Sequence, residues 1–224
     1  MTDPASNDAL TLVIGNKNYS SWSLRPWLLM RHHGIAFDEV RLPLDTPEFA
    51  AGIARWSPSG RVPVLVRGDL MVWDSLAICE YVSETLLGGR GWPGNPAMRA
   101  VARAVSAEMH SGFQALRDQL PLNCRRRVRD FVVPADARRD IERITRIWRE
   151  CRARAGDGPY LFGAFSIADA MYAPVVLRFQ TYGVEIGEVE RRYADTMLAV
   201  QALKDWLDAA EAESQALPKY DAVA

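Results

Sequence analysis

Cysteine is scarce in this chain, which has only Cys79, Cys124 and Cys151. Three is too few and too odd a number for a disulfide framework, and no two stand at Cys-x-x-Cys spacing, so dithiol exchange is excluded. They are expected as core or surface thiols in a reducing compartment. An apolar run of about 18 residues, the length a transmembrane helix needs, is also missing. Net charge is small: 27 Lys and Arg against 28 Asp and Glu leave −1, with a pI near 6.3. Such a balance gives no electrostatic case for nucleic acid or an anionic membrane. Of the 3 histidines, His32 and His33 are adjacent rather than at the i, i+4 spacing that aligns two ligands, so no metal is expected. Met1 to Asp8 is polar and acidic and resembles no signal peptide, which makes a cytoplasmic protein the default expectation.

What the chain does have is 224 residues, enough to bury a substantial core in one or two domains. Up to residue 87 strands and helices alternate. Leu10 to Ile14 reads as a strand, and Leu24, Trp27, Leu28 and Met30 as a helix that stops at Gly34. Phe37 to Leu42 is a second strand and Pro47 to Trp56 an irregular helix; Ser57 to Gly60 is a turn. Val62 to Val66 and Leu70 to Trp73 pair as a hairpin across Gly68-Asp69. From Asp74-Ser75 a helix runs to residue 86, with Leu76, Ile78, Cys79 and Val82 at helical spacing. This order predicts a small α/β domain over residues 1–87, built on a parallel pair with a crossover helix and extended by an antiparallel hairpin. Residues 88–96, rich in Gly and Pro, read as a linker. Residues 97–224 read as an all-α domain: one long helix from Ala97 to Leu120, then Ala135 to Ala155, Ser166 to Tyr182, and one or two more from Glu188 to Glu213. Pro218 to Ala224 is expected as a loose tail.

Between the first strand and its helix lies Asn18-Tyr19-Ser20-Ser21-Trp22-Ser23. Hydroxyls at a helix N-terminus either cap it or, where the unpaired N–H groups and dipole favour negative charge, hold an anion or thiolate. On this stretch alone the cap is the favoured reading. The small domain has the order of the thioredoxin fold, whose redox members carry two cysteines in this turn. Serines stand here instead, so any thiol must come with a ligand.

Three further stretches join this one. Ser20 to Arg25, Ser57 to Leu65 (Ser-Pro-Ser-Gly-Arg-Val-Pro-Val-Leu), Trp73 to Ile78 (Trp-Asp-Ser-Leu-Ala-Ile) and Phe165 to Asp169 together resemble the successive signatures of cytosolic glutathione transferases. The resemblance spans nearly the whole chain. It implies a thioredoxin-like N-terminal domain followed by a helical domain, a homodimer, and glutathione as co-substrate with no metal. By the Ser-Ser-x-Ser-x-Arg pattern the hydroxyl that meets the glutathione sulfur is Ser20, with Ser21 second and Tyr19 third. Arg25 is either a salt-bridge residue or a positive charge near the site.

The same resemblance makes Val62-Pro63 the cis-proline position, where the Val62 backbone pairs with the peptide, beside Arg61. It also makes Asp74 and Ser75 the acidic-Ser pair that meets the γ-glutamyl end. Met109, Phe113 and Leu116, with His110 adjacent, are candidates for the electrophile pocket, although such a stripe is more often core. Arg125 to Arg129 reads as a solvated helix end. Ser166 and Asp169 form a helix cap. The implied reaction is transfer of the thiolate to a small electrophile. A zeta-like cis-trans isomerase of the maleylacetoacetate type is the alternative: the zeta motif resembles Ser-Ser-x-Ser-x-Arg, but has Cys where Trp22 stands, which counts against it; a glutathione-binding protein without turnover is a third reading.

Overall fold

The structure, a computed structural model, describes residues 9–222, so Met1 to Asp8 and the last two residues of the expected tail lie outside it. β1 (Leu10–Ile14) enters first and turns through Asn16–Ser20 into α1 (Ser21–His32). β2 (Asp38–Arg41) pairs parallel with β1; β3 (Val64–Arg67) pairs antiparallel with β1 on the other side, and β4 (Leu70–Trp73) closes the edge, giving the order β2-β1-β3-β4. α2 (Pro47–Ile53) follows β2, and α3 (Ser75–Thr85) follows β4.

β1 sorts its side chains by strand alternation. Leu12 and Ile14 enter the main core with Leu24 and Leu28 of α1, while Val13 joins Leu42, Ile53 and Val64 in a small cluster on the other face of the sheet. Thr46, whose hydroxyl accepts from the Phe49 N–H at 3.1 Å, caps α2, with Pro47 at its first position.

The rest is helical: α4 (Pro96–Ser111), α5 (Gln114–Gln119), α6 (Ala135–Ala155), α7 (Ile167–Tyr182), α8 (Glu188–Ala199), α9 (Gln201–Glu211) and α10 (Pro218–Asp221). Among the described residues no helix is long and apolar enough to cross a membrane. α7 is buried on nearly every side and packs against α1 and α4, so the sheet and the bundle share one core. At its start the Ser166 N–H and hydroxyl donate to Asp169 at 2.9 and 3.0 Å, and Asp169 also accepts from the Leu161 N–H at 3.0 Å. This is the cap read from Ser166 and Asp169.

Three expectations are corrected. The long helix from Ala97 to Leu120 is two helices: Gly112 is extended and Phe113 adopts a left-handed φ of 60°. Glycine costs a helix about 1 kcal/mol relative to alanine, and here the freed C-terminal carbonyls of α4 find another donor. The Arg117 guanidinium donates to the carbonyls of Met109, His110 and Gly112. Second, the Arg125–Arg129 run is not a solvated helix end, because its guanidiniums grip backbone carbonyls: Arg125 donates to Glu213 and Gln215, and Arg126 to Asp221. Third, the stretch through Asp221 is therefore no loose tail. Within residues 88–96, Gly91 and Trp92 are buried: a Cβ on Gly91 would come within 2.7 Å of Ser83, and the Gly91 carbonyl accepts from the Ile167 N–H.

Candidate functional site

A cleft of about 990 Å³ opens where the β1–α1 turn faces the helical half. One wall is Tyr19 to Trp22 with Phe49, Arg61 and Val62; the other is Gln114, Arg117, Pro121, Leu122 and Arg178; Lys219 and Tyr220 of α10 close the rim. The Val62–Pro63 bond is cis, and Val62 lines the cleft.

The hydroxyls at the start of α1 differ in what they are free to do. Ser20 is the N-cap: it donates to Ser23 Oγ at 2.7 Å and accepts from the Ser23 N–H at 3.4 Å. Ser23 Oγ accepts from the Gly15 N–H at 3.1 Å and is fully buried. Ser21 Oγ accepts from Arg178 Nη2 at 3.3 Å. Tyr19 OH donates to the Asp221 carboxylate at 3.0 Å and accepts from the Leu217 N–H and from Arg125 Nη2 at 3.1 and 3.2 Å. The Tyr19 hydroxyl therefore anchors the C-terminal segment.

Among the described residues Arg25 makes no ion pair. Its guanidinium is fully buried, donates to Ser75 Oγ at 3.3 Å and leaves Nε and Nη2 without hydrogen-bond partners there. Burial, reinforced by the positive charges of Arg117 and Arg178, lowers its pKa to about 9. Arg178, also buried, is lowered to about 10 by burial and then by Arg117. Both remain charged at neutral pH, so the region between Trp22 and α7 is strongly positive. The Trp22 ring sits 4.3 Å from Arg25 and 4.7 Å from Arg117, with His110 edge-on at 5.2 Å.

Asp74 caps α3, its Oδ1 accepting from the Leu76 and Ala77 N–H groups at 2.9 and 3.2 Å. Its Oδ2 takes His110 Nε2 at 3.0 Å. Asp74 and Ser75 do not line the cleft; they connect to it through His110 and Arg25, which both pack on Trp22.

Comparison with known proteins decides the family to which this fold belongs. The Glutathione S-transferase N-terminal domain matches residues 19–85 and the Glutathione S-transferase C-terminal domain residues 134–209, together more than half of the chain. The chain belongs to the glutathione S-transferase family. Among curated relatives, a probable maleylacetoacetate isomerase of Caenorhabditis elegans is 30% identical over 111 residues, covering 50% of this chain and 51% of that protein. A dichloromethane dehalogenase of Methylorubrum extorquens is 45% identical over 62 residues, covering 27% and 22%. The matches thus span about half or less of these relatives' own length. A glutathione transferase homolog from Burkholderia with bound glutathione superposes with a TM-score of 0.69 at 20% identity, covering 92% of this chain and all of that one. Ure2p in complex with glutathione gives 0.68 at 17% identity, covering 89% and 99%.

In this transferase fold Ser20, Ser21, Arg61 and Val62 meet at one cleft, with Pro63 buried beneath. Met109, Phe113 and Leu116, expected at the electrophile pocket, are instead buried in the core at 1%, 8% and 0% exposure. After the break that follows Ser111, Gln114 and Arg117 of α5 and Pro121 just beyond it form the wall. Arg178 escaped the sequence reading, yet it left a signal. Beyond the cap residue Asp169 it is the one charge in α7, and a buried charge in an apolar helix asks for a reason. Arg117, Lys219 and Tyr220 left none. Among the described residues no cluster of three or more His, Cys, Asp or Glu is placed to hold a metal ion.

Proposed function

We propose that the chain binds glutathione in this cleft, holds it as a thiolate with a serine hydroxyl at the start of α1, and adds it to a small electrophile. The observation that carries the reading is the opening of the α1 N-terminus, with Ser20 and Ser21, into a cleft whose walls supply Arg61, Arg117, Arg178 and Lys219. A free thiol near pKa 8.5 is mostly protonated at neutral pH; a helix N-terminus, a hydroxyl donor and nearby cations all favour its ionised form. The glutathione backbone pairs with Val62 beyond the cis bond to Pro63, beside Arg61. Asp74 lies outside the cleft behind His110, so for the γ-glutamyl ammonium to reach Asp74 Oδ2 the His110 bond must open and the ammonium take its place. The bound thiolate then attacks an electrophile held by Phe49, Pro121, Leu122 and Tyr220, and the leaving group departs with the electron pair.

A second reading rests on the same cations. Four of them around one cleft suit a dicarboxylate, as in a zeta-like isomerase that adds and then releases glutathione across a cis double bond. The similarity to a probable maleylacetoacetate isomerase supports this reading. Incubation with glutathione and either alkyl and aryl halides or a cis-unsaturated dicarboxylate separates the two: glutathione is consumed in the first case and returned in the second. Binding with no turnover of either panel would support a glutathione-binding protein without catalysis. We further propose a cytoplasmic homodimer. The edge strand β4 leaves Leu70, Met71 and Trp73 exposed at 44%, 41% and 47%, an apolar edge that a second copy would cover. Sedimentation tests it.

A further inference from the structure

We propose that Ser21, polarised by Arg178 from the helical half, is the group that holds the glutathione thiolate, while Ser20 serves the helix. This inference rests on the reading of the cleft as a glutathione site. It differs from the family pattern, by which Ser20 is the first choice.

The hydrogen bonds separate the two serines. The Ser20 hydrogen is committed to Ser23 Oγ while its oxygen receives the Ser23 N–H, so donating to a ligand would cost Ser20 its hydroxyl bond to Ser23. Ser21 Oγ receives a guanidinium N–H at 3.3 Å and donates to no group among the described residues, which leaves its hydrogen available to a ligand in the cleft it lines. A hydroxyl that accepts from a cation is a stronger donor to an anion.

Arg178 is held for this task. Nη1 donates to the Leu120 carbonyl at 2.5 Å, Nη2 reaches Ser21, and the residue is only 4% exposed. A buried charge without a carboxylate partner is costly unless an anion arrives to meet it. Of the charges that line the cleft, Arg61, Arg117, Arg178 and Lys219 are positive and Asp45 and Asp118 negative. The thiolate is the anion that fits at Ser21. On binding, the glutathione thiol gives its proton to solvent. Ser21 keeps its own and donates a hydrogen bond to sulfur, and no covalent bond forms until the electrophile is attacked. Arg178 acts through Ser21 and through its charge, as a positioning residue.

The test is the ultraviolet absorbance of the bound thiolate against pH, with calorimetric glutathione affinity and a melting curve for each variant. Ser21→Ala is expected to raise the pKa of the bound thiol by about one unit, a tenfold loss of thiolate at pH below both values, with a much smaller change in Kd. Arg178→Gln shifts it the same way, and Arg178→Lys restores part of the loss. Ser20→Ala shifts it less than Ser21→Ala but lowers the melting temperature more. If Arg178→Gln does not fold, the comparison of the two serine variants decides alone. Loss of thiolate in Ser20→Ala with none in Ser21→Ala overturns the assignment and leaves the glutathione site standing. Failure of the native protein to bind glutathione overturns both.

Discussion

His110 Nε2 lies 3.0 Å from Asp74 Oδ2, a bond that ties the first helix of the bundle to the cap of α3. Burial lowers the His110 pKa against the pull of Asp74, which favours the neutral imidazole, and Nδ1 has no hydrogen-bond partner among the described residues. Both groups are partly exposed, so His110→Ala should lose only about 1 kcal/mol of unfolding free energy. Because it releases Asp74 Oδ2 for the glutathione ammonium, it should also tighten glutathione binding. Denaturant melts and calorimetry read the two effects; weaker binding would mean that His110 itself touches the ligand.

Asp169 should matter to stability and not to glutathione. Its carboxylate receives three protein hydrogen bonds far from the cleft, and Asp169→Ala leaves buried N–H groups unpaired at a cost of about 2 kcal/mol or more. Burial, outweighing these bonds, raises its pKa from 3.8 to about 6. A carboxyl whose pKa is raised on folding contributes stability that is complete below the unfolded value and is lost as pH rises through the folded one. Between pH 3.8 and 6 the Asp169 contribution therefore falls with rising pH, and Asp169→Asn should flatten that part of the melting profile. Unchanged melting with lost glutathione affinity in Asp169→Ala would contradict the assignment.

The histidines titrate in the opposite sense. Burial lowers the pKa of His32, His33 and His110 alike. The unfolded chain then binds protons first, and stability from these groups is lost as pH falls below about 6.5 toward their folded values. His32 is stacked on Phe165 at 3.8 Å, so His32→Phe should keep the packing and remove part of this acid sensitivity. Melting curves of native protein and variant through this range check it; parallel profiles would refute it.

Tyr19 holds the C-terminal segment. Its hydroxyl meets Asp221, Leu217 and Arg125, and its ring stacks on Tyr220 at 5.4 Å. Tyr19→Phe should speed proteolysis beyond Leu217 and cost about 2 kcal/mol. A variant that loses bound thiolate while its C-terminal end stays protected would return Tyr19 to the thiol site.

The parts of this architecture that were legible in the sequence are those written by local chemistry. The Leu10–Ile14 strand, the serine-rich turn, the hairpin across Gly68-Asp69 and the Ser166–Asp169 cap each follow from residues within a few positions of one another. The break between α4 and α5 was carried only by Gly112; what closes it is Arg117 reaching back to three carbonyls, a contact that propensity does not encode. The arginines after Cys124 read as surface charge because the carbonyls they grip lie in the C-terminal segment, about ninety positions away. The wall opposite the serines failed for the same reason: which face of the helix after Ala97 meets the cleft depends on that break.

Glutathione titrated into the native protein at neutral pH, with proton release measured in buffers of different ionisation enthalpy and thiolate absorbance followed in parallel, shows whether the α1 N-terminus ionises the bound thiol. Binding that releases the thiol proton and raises thiolate absorbance is expected. Binding without proton release would contradict activation at the α1 N-terminus, and no binding would contradict the glutathione site itself.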